Sequence, residues 1–354
     1  MKRIVFLLNY PLQNQVDVGH LDVLMQSFKN ALNEFDEVAV ISPRDNRKYV
    51  LGKGIKVKSN GFTHPLLYYL SPFKDFWRLW HLARDSDTKV IRALAPTSGF
   101  VAGIAGKLAG TPVFLSVHTD ESIASNDAGR RSLKSLLLKI AEPLSLKWAN
   151  KIGVISEHIR KYAIRRGADP KKIVKHPNFV DTRKFKPVRN GKKFVFVGRF
   201  TPVKAPLTAI EAAEKAGVEL VMVGDGPLLA EAKKKAGKNV EFLGRVKHAE
   251  LPKILGKNGF FVAPATAGFT LLEAFACGLP AAAADLDWSR EMVADGKTGY
   301  LCKAYDSDSL AKAMKKLKRN GGRMRKACRK KALEYSLEEF KKRELKVYRE
   351  LINQ

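Results

Sequence analysis

Short apolar, β-branched runs alternate along the chain with stretches whose apolar positions recur every three or four residues. Arg3–Asn9, Glu37–Ser42, Lys89–Ala93, Pro112–His118 and Lys151–Ser156 read as buried strands in the first half. Lys193–Gly198, Glu219–Gly224, Val240–Gly244 and Gly259–Ala263 do so in the second. Leu21–Glu34, Ser98–Leu108, Pro206–Ala216 and Asp308–Leu317 carry the helical period between them. Strand–helix alternation of this kind builds parallel sheets covered by helices on both faces. Ala281–Ala284 falls where a further buried strand is expected, although alanine is a poor strand former.

The alternation breaks once. His176–Pro187 is rich in proline, polar and charged residues, the composition of an inter-domain connection, and a new strand follows it. At 354 residues the chain exceeds a single core. We therefore expect an N-terminal domain over 1–180 and a second over 181–335. Residues 336–354, with Phe340, Leu345, Tyr348 and Leu351 at roughly helical spacing, form a C-terminal helix expected to pack back towards the N-terminal domain.

Composition adds a strong charge bias. The net charge is +29, with 15 Lys+Arg against 3 acids over 151–200 and an even 12 against 12 over 201–300. Such asymmetry fits either an anionic partner for particular faces or the solvated lysine-rich surface of a heat-adapted protein. Cys277, Cys302 and Cys328 have neither metal-ligand nor disulfide spacing, which suits a reducing compartment. The opening MKRIVFLLNYP is too short in its apolar run for a signal peptide and reads as a first strand. No apolar run approaches the ~20 residues that span a bilayer. The expected location is cytoplasmic, or peripheral on the cytoplasmic membrane face.

In doubly wound sheets the chemistry sits at the carboxyl ends of strands. Gly198-Arg199-Phe200-Thr201-Pro202-Val203-Lys204 follows the first strand of the second domain, and Arg199 with Lys204 could neutralise a diphosphate. Asn178-x-Val180-Asp181-x-x-x-Phe185-x-Pro187 precedes this loop. Gly224-Asp225-Gly226-Pro227, Gly244-Arg245-Val246, Glu273-Ala-x-Ala-x-Gly-x-Pro and Glu291-x-Val293-x-x-Gly296-x-x-Gly299 follow it. In this order and spacing the chain resembles the retaining glycosyltransferases of family 4.

The resemblance implies an α/β protein of GT-B architecture, two Rossmann-like doubly wound parallel-sheet domains facing a central cleft. It implies a nucleoside diphosphate sugar donor, UDP- or GDP-linked. The acceptor would be bound by the N-terminal domain and the donor by the second. Arg199, Lys204 and the helix amides near Leu271 and Leu272 would hold the diphosphate. Glu273, opening a helix, would accept the ribose hydroxyls, with Val246 beside the base. His118, in Val117-His118-x-Asp120, would sit next to the transferred sugar. Gly19 is the equivalent of a glycine-rich turn that usually has two glycines. No cofactor and no bound metal are implied. Gly224–Gly226 also reads as a plain tight turn, and Val246 as a core residue.

One position departs from the pattern. The family carries a first glutamate eight residues before the position of Glu273, and this chain has Ala265 there; a two-residue gap gives Ala267 instead. Alanine cannot accept sugar hydroxyls or stabilise positive charge at the anomeric carbon. The chain is then an inactivated variant, an enzyme using Thr266 or Thr270 instead, or a catalytically weak or inactive nucleotide-sugar-binding protein. A GT-B sugar epimerase is a remoter alternative.

For the acceptor, Leu66–Arg84 interleaves aromatics with Lys74, Arg78 and Arg84. Arg130–Lys147 sets Leu133, Leu136, Leu137 and Ile140 beside Arg131, Lys134 and Lys139. Interfacial helices have this composition, as do core helices with basic outer faces. The expected partners are a nucleotide-sugar donor, a lipid-linked or saccharide acceptor and an anionic membrane surface. The basic residues lack a nucleic-acid recognition motif and interleaved stacking aromatics in the second domain, which argues against nucleic acid.

Overall fold

A computed structural model describes residues 1–17, 21–45, 47–59, 71–118, 133–187, 191–286 and 288–354. The chain divides into two compact units, Met1–Pro177 with Lys341–Gln354, and Asn178–Phe340.

The first unit holds a seven-stranded parallel sheet. Its strands are β1 (Arg3–Leu7), β2 (Glu37–Ser42), β3 (Ile55–Ser59), β4 (Thr88–Ala93), β5 (Val113–Val117), β6 (Lys151–Val154) and β7 (Ile173–Lys175). They lie in the order β3-β2-β1-β4-β5-β6-β7. β1, β2 and β5 are buried along their whole length, as a sheet covered on both faces requires. Edge strand β3 alternates inward Ile55 and Val57 with Lys56 and Lys58, charges that discourage edge-to-edge pairing.

The helices of this unit are α1 (Leu12–Asp17), α2 (Leu21–Ala31), α3 (Ser71–Ala83), α4 (Pro96–Ala109), α5 (Leu133–Trp148) and α6 (Glu157–Arg165). One face of the sheet packs Leu79 of α3, Ala102 and Ala105 of α4, Leu146 of α5 and Ile159 of α6. The other face receives Phe28 of α2 together with Val347, Tyr348 and Leu351 of the C-terminal helix Leu337–Ile352. Tyr348 is fully buried and meets Phe35 and Phe114 edge-on at centroid distances of 5.5 and 6.2 Å.

Polar groups fix that helix as well. Glu344 accepts hydrogen bonds from Ser27 Oγ at 2.9 Å and Asn30 Nδ2 at 2.8 Å. It also lies 3.5 Å from Arg92 on β4. Glu344 is fully buried and Arg92 is 2% exposed, so each charge depends on the other.

The second unit holds a six-stranded parallel sheet in the order β10-β9-β8-β11-β12-β13. Its strands are β8 (Phe194–Val197), β9 (Leu220–Val223), β10 (Val240–Gly244), β11 (Phe260–Ala263), β12 (Ala281–Ala284) and β13 (Gly299–Cys302). Its helices are α7 (Pro206–Ala216), α8 (Leu229–Lys235), α9 (Leu251–Lys257), α10 (Phe269–Ala276), α11 (Ser289–Met292), α12 (Ser307–Asn320) and α13 (Arg325–Leu333). β12 is the alanine run, wholly buried, with α12 packed on it. Small side chains let neighbours approach: a Cβ at Gly299 would stand 2.0 Å from the Ala281 carbonyl oxygen. Packing decides this strand over intrinsic preference. The three cysteines are free and buried.

Candidate functional site

The strand order of the second unit reverses between β8 and β11, so the loops leaving these neighbours diverge and open a crevice at their carboxyl ends. The loop after β8 is the basic segment Gly198–Lys204, and the loop after β11 is Pro264–Gly268. Lys204 Nζ donates to the Thr266 carbonyl at 2.7 Å and so bridges the two loops. Burial, and secondarily the nearby Arg199, pull the Lys204 pKa below its usual value. Among the described residues neither cation pairs with a carboxylate, which suits the loop to an incoming anion.

The β8 loop is held by its neighbours. Gly198 N–H donates to the Val223 carbonyl at 3.0 Å and Phe200 N–H to the Asp225 carbonyl at 2.8 Å. The turn after β9 lies so close that a Cβ on Gly224 would fall 1.9 Å from the Gly198 carbonyl oxygen, and its φ of +136° favours glycine in any case.

Helix α10 follows the β11 loop. Its N-cap, Gly268, has no side chain to cap the first-turn amides, and of these Leu271 N–H donates to the Gly268 carbonyl at 3.3 Å. Leu271 and Leu272 are fully buried, so they can contribute backbone only. Glu273 does not open the helix as expected: it is the fifth of eight residues, and the first turn contains no acid. The extra turn arises because Phe269–Leu272 already wind from Gly268, placing the carboxylate one turn inside. An acid chosen to favour the helix dipole would sit in the first turn. Glu273 is 6% exposed, and His248 Nε2 lies 2.6 Å from its Oε1. Val246, half-buried on the same strand-end loop as His248, packs against the core.

Ala265 is 1% exposed and Ala267 is buried too, while Thr266 and Thr270 are half-buried. The missing carboxylate thus corresponds to a methyl group packed inward.

In the first unit, His118 directly follows β5. Its surface is exposed, yet the protein mass crowded around the strand end, then His176 and Arg92, pull its pKa down to about 4. Its imidazole is neutral at physiological pH. Gly19 lies outside the described residues, as do Leu66–Leu70, Arg131 and the side chains of Leu133, Lys134, Leu136 and Leu137.

Residues 23–184 match the family described as Glycosyltransferase Family 4, and residues 180–335 match that described as Glycosyl transferases group 1. The chain belongs to glycosyltransferase family 4. Among curated relatives of this transferase is the UDP-Gal:alpha-D-GlcNAc-diphosphoundecaprenol alpha-1,3-galactosyltransferase of Escherichia coli. It is 27% identical over 275 residues, covering 69% of this chain and 70% of the relative. The phosphatidyl-myo-inositol mannosyltransferase of Mycolicibacterium smegmatis is 26% identical over 323 residues, 84% of this chain and 79% of the relative. Among solved structures, Anabaena Alr3699/HepE in complex with UDP superposes with a TM-score of 0.76 at 18% identity. That match covers 99% of this chain and 100% of the other. The glycosyltransferase has the GT-B fold, with its two Rossmann-like parallel-sheet units.

His248 was not legible as a site residue in the sequence. Nothing in Lys247-His248-Ala249 marks a side chain that folds back onto a carboxylate 25 residues later.

Proposed function

We propose that this glycosyltransferase moves a hexose from a UDP- or GDP-sugar to a lipid-linked or saccharide acceptor, with retention at the anomeric carbon. The observation that carries the reading is Lys204 bridging the two switch-point loops at 2.7 Å, beside Arg199 and the uncapped start of α10. When the bond from the anomeric carbon to the phosphate oxygen breaks, charge builds on the departing diphosphate. Arg199, Lys204 and the α10 amides would neutralise it, with no metal ion needed. Glu273 would accept the ribose hydroxyls, with Val246 beside the base. His118 would offer a neutral imidazole to a sugar hydroxyl, and Gly19 a backbone approach to the donor. The relatives' names, with a diphosphoundecaprenol-linked acceptor in one case and phosphatidyl-myo-inositol in another, favour a lipid-borne acceptor.

A second reading, a weak or inactive nucleotide-sugar-binding protein, is favoured by the inward methyl of Ala265. One experiment separates the two. The chain is screened for thermal shift with UDP, GDP and ADP, and then for nucleotide release from the matching sugars with lipid extract as acceptor. Shift with release supports transfer; shift without release supports the binding protein; neither response defeats both.

We further propose that the enzyme works at an anionic membrane surface. Phe73 and Trp77 of α3 are 67% and 55% exposed, and Leu108 of α4 and Ile140 of α5 are 66% and 58% exposed. Arg84 lies over the Trp80 ring at 4.9 Å, and Lys107 over that of Trp148 at 5.1 Å. Exposed aromatics among cations suit a headgroup layer. Among the described residues no helix is long and apolar enough to cross a membrane.

A further inference from the structure

Helix α13 carries Arg325, Lys326, Arg329 and Lys330 on one face, because residues four apart on a helix lie one above the other. Arg325 with Arg329, and Lys326 with Lys330, are like-charge pairs at that spacing, which destabilise a helix unless an anion lies between them. With Pro187, Cys277, Gly278 and Leu333 these four cations line a cavity of about 320 Å³, the small end of the range for ligand sites. Among the described residues that line it there is no carboxylate. Glu334, just beyond α13, pairs with Lys331 at 2.9 Å.

The cavity lies at the far end of α10. Gly278 turns the chain after that helix with a φ of +78°, which favours glycine. A Cβ added there would stand 3.7 Å from the Arg325 carbonyl oxygen and 3.8 Å from Pro187, so the turn and α13 are close neighbours. The amides of the turn are taken: Cys277 N–H donates to the Glu273 carbonyl at 3.0 Å and Gly278 N–H to that of Phe275 at 2.9 Å. An anion here would therefore be held by side chains. Arg329 is fixed in place, its Nη1 donating to the Phe185 and Ala276 carbonyls at 2.7 and 2.8 Å and its Nη2 to that of Thr182 at 3.0 Å. Arg325 is half-buried, and burial pulls its pKa below the usual value. Lys326 and Lys330 are exposed. Burial pushes the Cys277 thiol up to about 12, so it stays protonated and adds no negative charge. With Pro187 and Leu333 it gives the cavity an apolar wall.

We propose that this cavity binds a phosphate group at a site separate from the donor crevice. The inference goes beyond the donor reading and does not depend on it. Four clustered cations suit a group with two negative charges, and an arginine with lysines beside it matches phosphate oxygens by geometry as well as charge. The apolar wall suits a phosphate that carries hydrocarbon. The donor crevice lies at the start of α10, and eight helical residues put the two ends about 12 Å apart. The phosphate comes from a soluble phosphate compound or from a lipid headgroup, and the two sources give different results in one experiment.

The full chain is titrated calorimetrically with inorganic phosphate. It is also floated with phosphatidylcholine vesicles containing either phosphatidic acid or the same charge density of phosphatidylserine. Wild type is compared with the double variant Lys326→Gln/Lys330→Gln, which changes only exposed side chains, and with Lys204→Met in the donor crevice. Circular dichroism and thermal melting confirm that each variant is folded. The double variant should weaken the response to phosphate or to phosphatidic acid about tenfold or more, and Lys204→Met should leave it within about twofold of wild type. Titration by inorganic phosphate assigns a soluble ligand. Flotation with phosphatidic acid in preference to phosphatidylserine, without that titration, assigns a lipid headgroup. No response of wild type to either probe, a double variant that responds as wild type does, or a loss confined to Lys204→Met would overturn the site. Titration with UDP and GDP reads the donor crevice separately, so failure here leaves the nucleotide reading standing.

Discussion

Replacing Lys204 by methionine removes a charge while keeping most of the side-chain volume. Among the described residues the ammonium donates to the Thr266 carbonyl at 2.7 Å, and its pKa is lowered by burial and then by Arg199. A lysine whose folded pKa lies below its unfolded value of 10.5 binds fewer protons folded than unfolded just below pH 10.5. Stability therefore rises with pH through that window, and at neutral pH the charge works against folding. Lys204→Met relieves that cost and loses one hydrogen bond of about 1 kcal/mol, so net stability should change by no more than about 1 kcal/mol. Nucleotide binding should respond very differently. A charge-assisted contact to the diphosphate is worth roughly 1.5–3 kcal/mol, so the affinity for UDP or GDP should fall roughly 10- to 150-fold. Thermal melting without ligand and calorimetric titration with it measure the two effects separately. Unchanged nucleotide affinity in Lys204→Met would refute the assignment of this loop to the diphosphate.

Other outcomes follow from the same geometry. Ala265→Glu should raise donor turnover by about 10²-fold, the usual worth of one charge-stabilising contact, while lowering the melting temperature because the position is 1% exposed; folded protein without a gain in turnover rules out the missing carboxylate as the defect. Glu344→Ala should cost about 3–5 kcal/mol in denaturant unfolding, because it leaves Arg92 buried without its counter-charge. In wild type, burial holds the His176 pKa below 6.5, and against its own burial Glu344 is held below 4.5 by the His176 hydrogen bond and then by the Arg92 charge. Both depressed values favour the deprotonated form in the folded chain. Their contributions are present at neutral pH and decline on acidification, from about pH 6.5 for His176 and about pH 4.5 for Glu344, which a melting series over pH should show. Trp77→Glu should reduce flotation with anionic vesicles at low salt; undiminished flotation would remove the α3 face from membrane contact.

Both sheets were legible in the sequence wherever a strand is buried on two faces, because an uninterrupted apolar run such as Val113–Val117 has few other readings. The strands that escaped are edges. Ile55–Ser59 alternates with lysine, Ile173–Lys175 has three residues, and Gly299–Cys302 begins with a glycine that close approach to β12 requires. Ala281–Ala284 was anticipated from its place in the alternation and against its propensity. The candidate loop of Arg199 and Lys204 and the helix of Glu273 were singled out through the family resemblance, whose motifs are local in sequence. The bond from Lys204 to Thr266 and the contact of His248 with Glu273 join residues 62 and 25 positions apart. Such pairs depend on strand order, which no local pattern carries.

The central claim is that the crevice between β8 and β11, with Glu273 on the following helix, holds a nucleoside diphosphate. Calorimetric titration of wild type and Glu273→Ala with UDP, GDP and ADP tests it most directly. The account predicts saturable one-to-one binding of at least one of the three by wild type, weakened about tenfold or more in Glu273→Ala. Binding by none of them, or equal affinity in the two proteins, would contradict it.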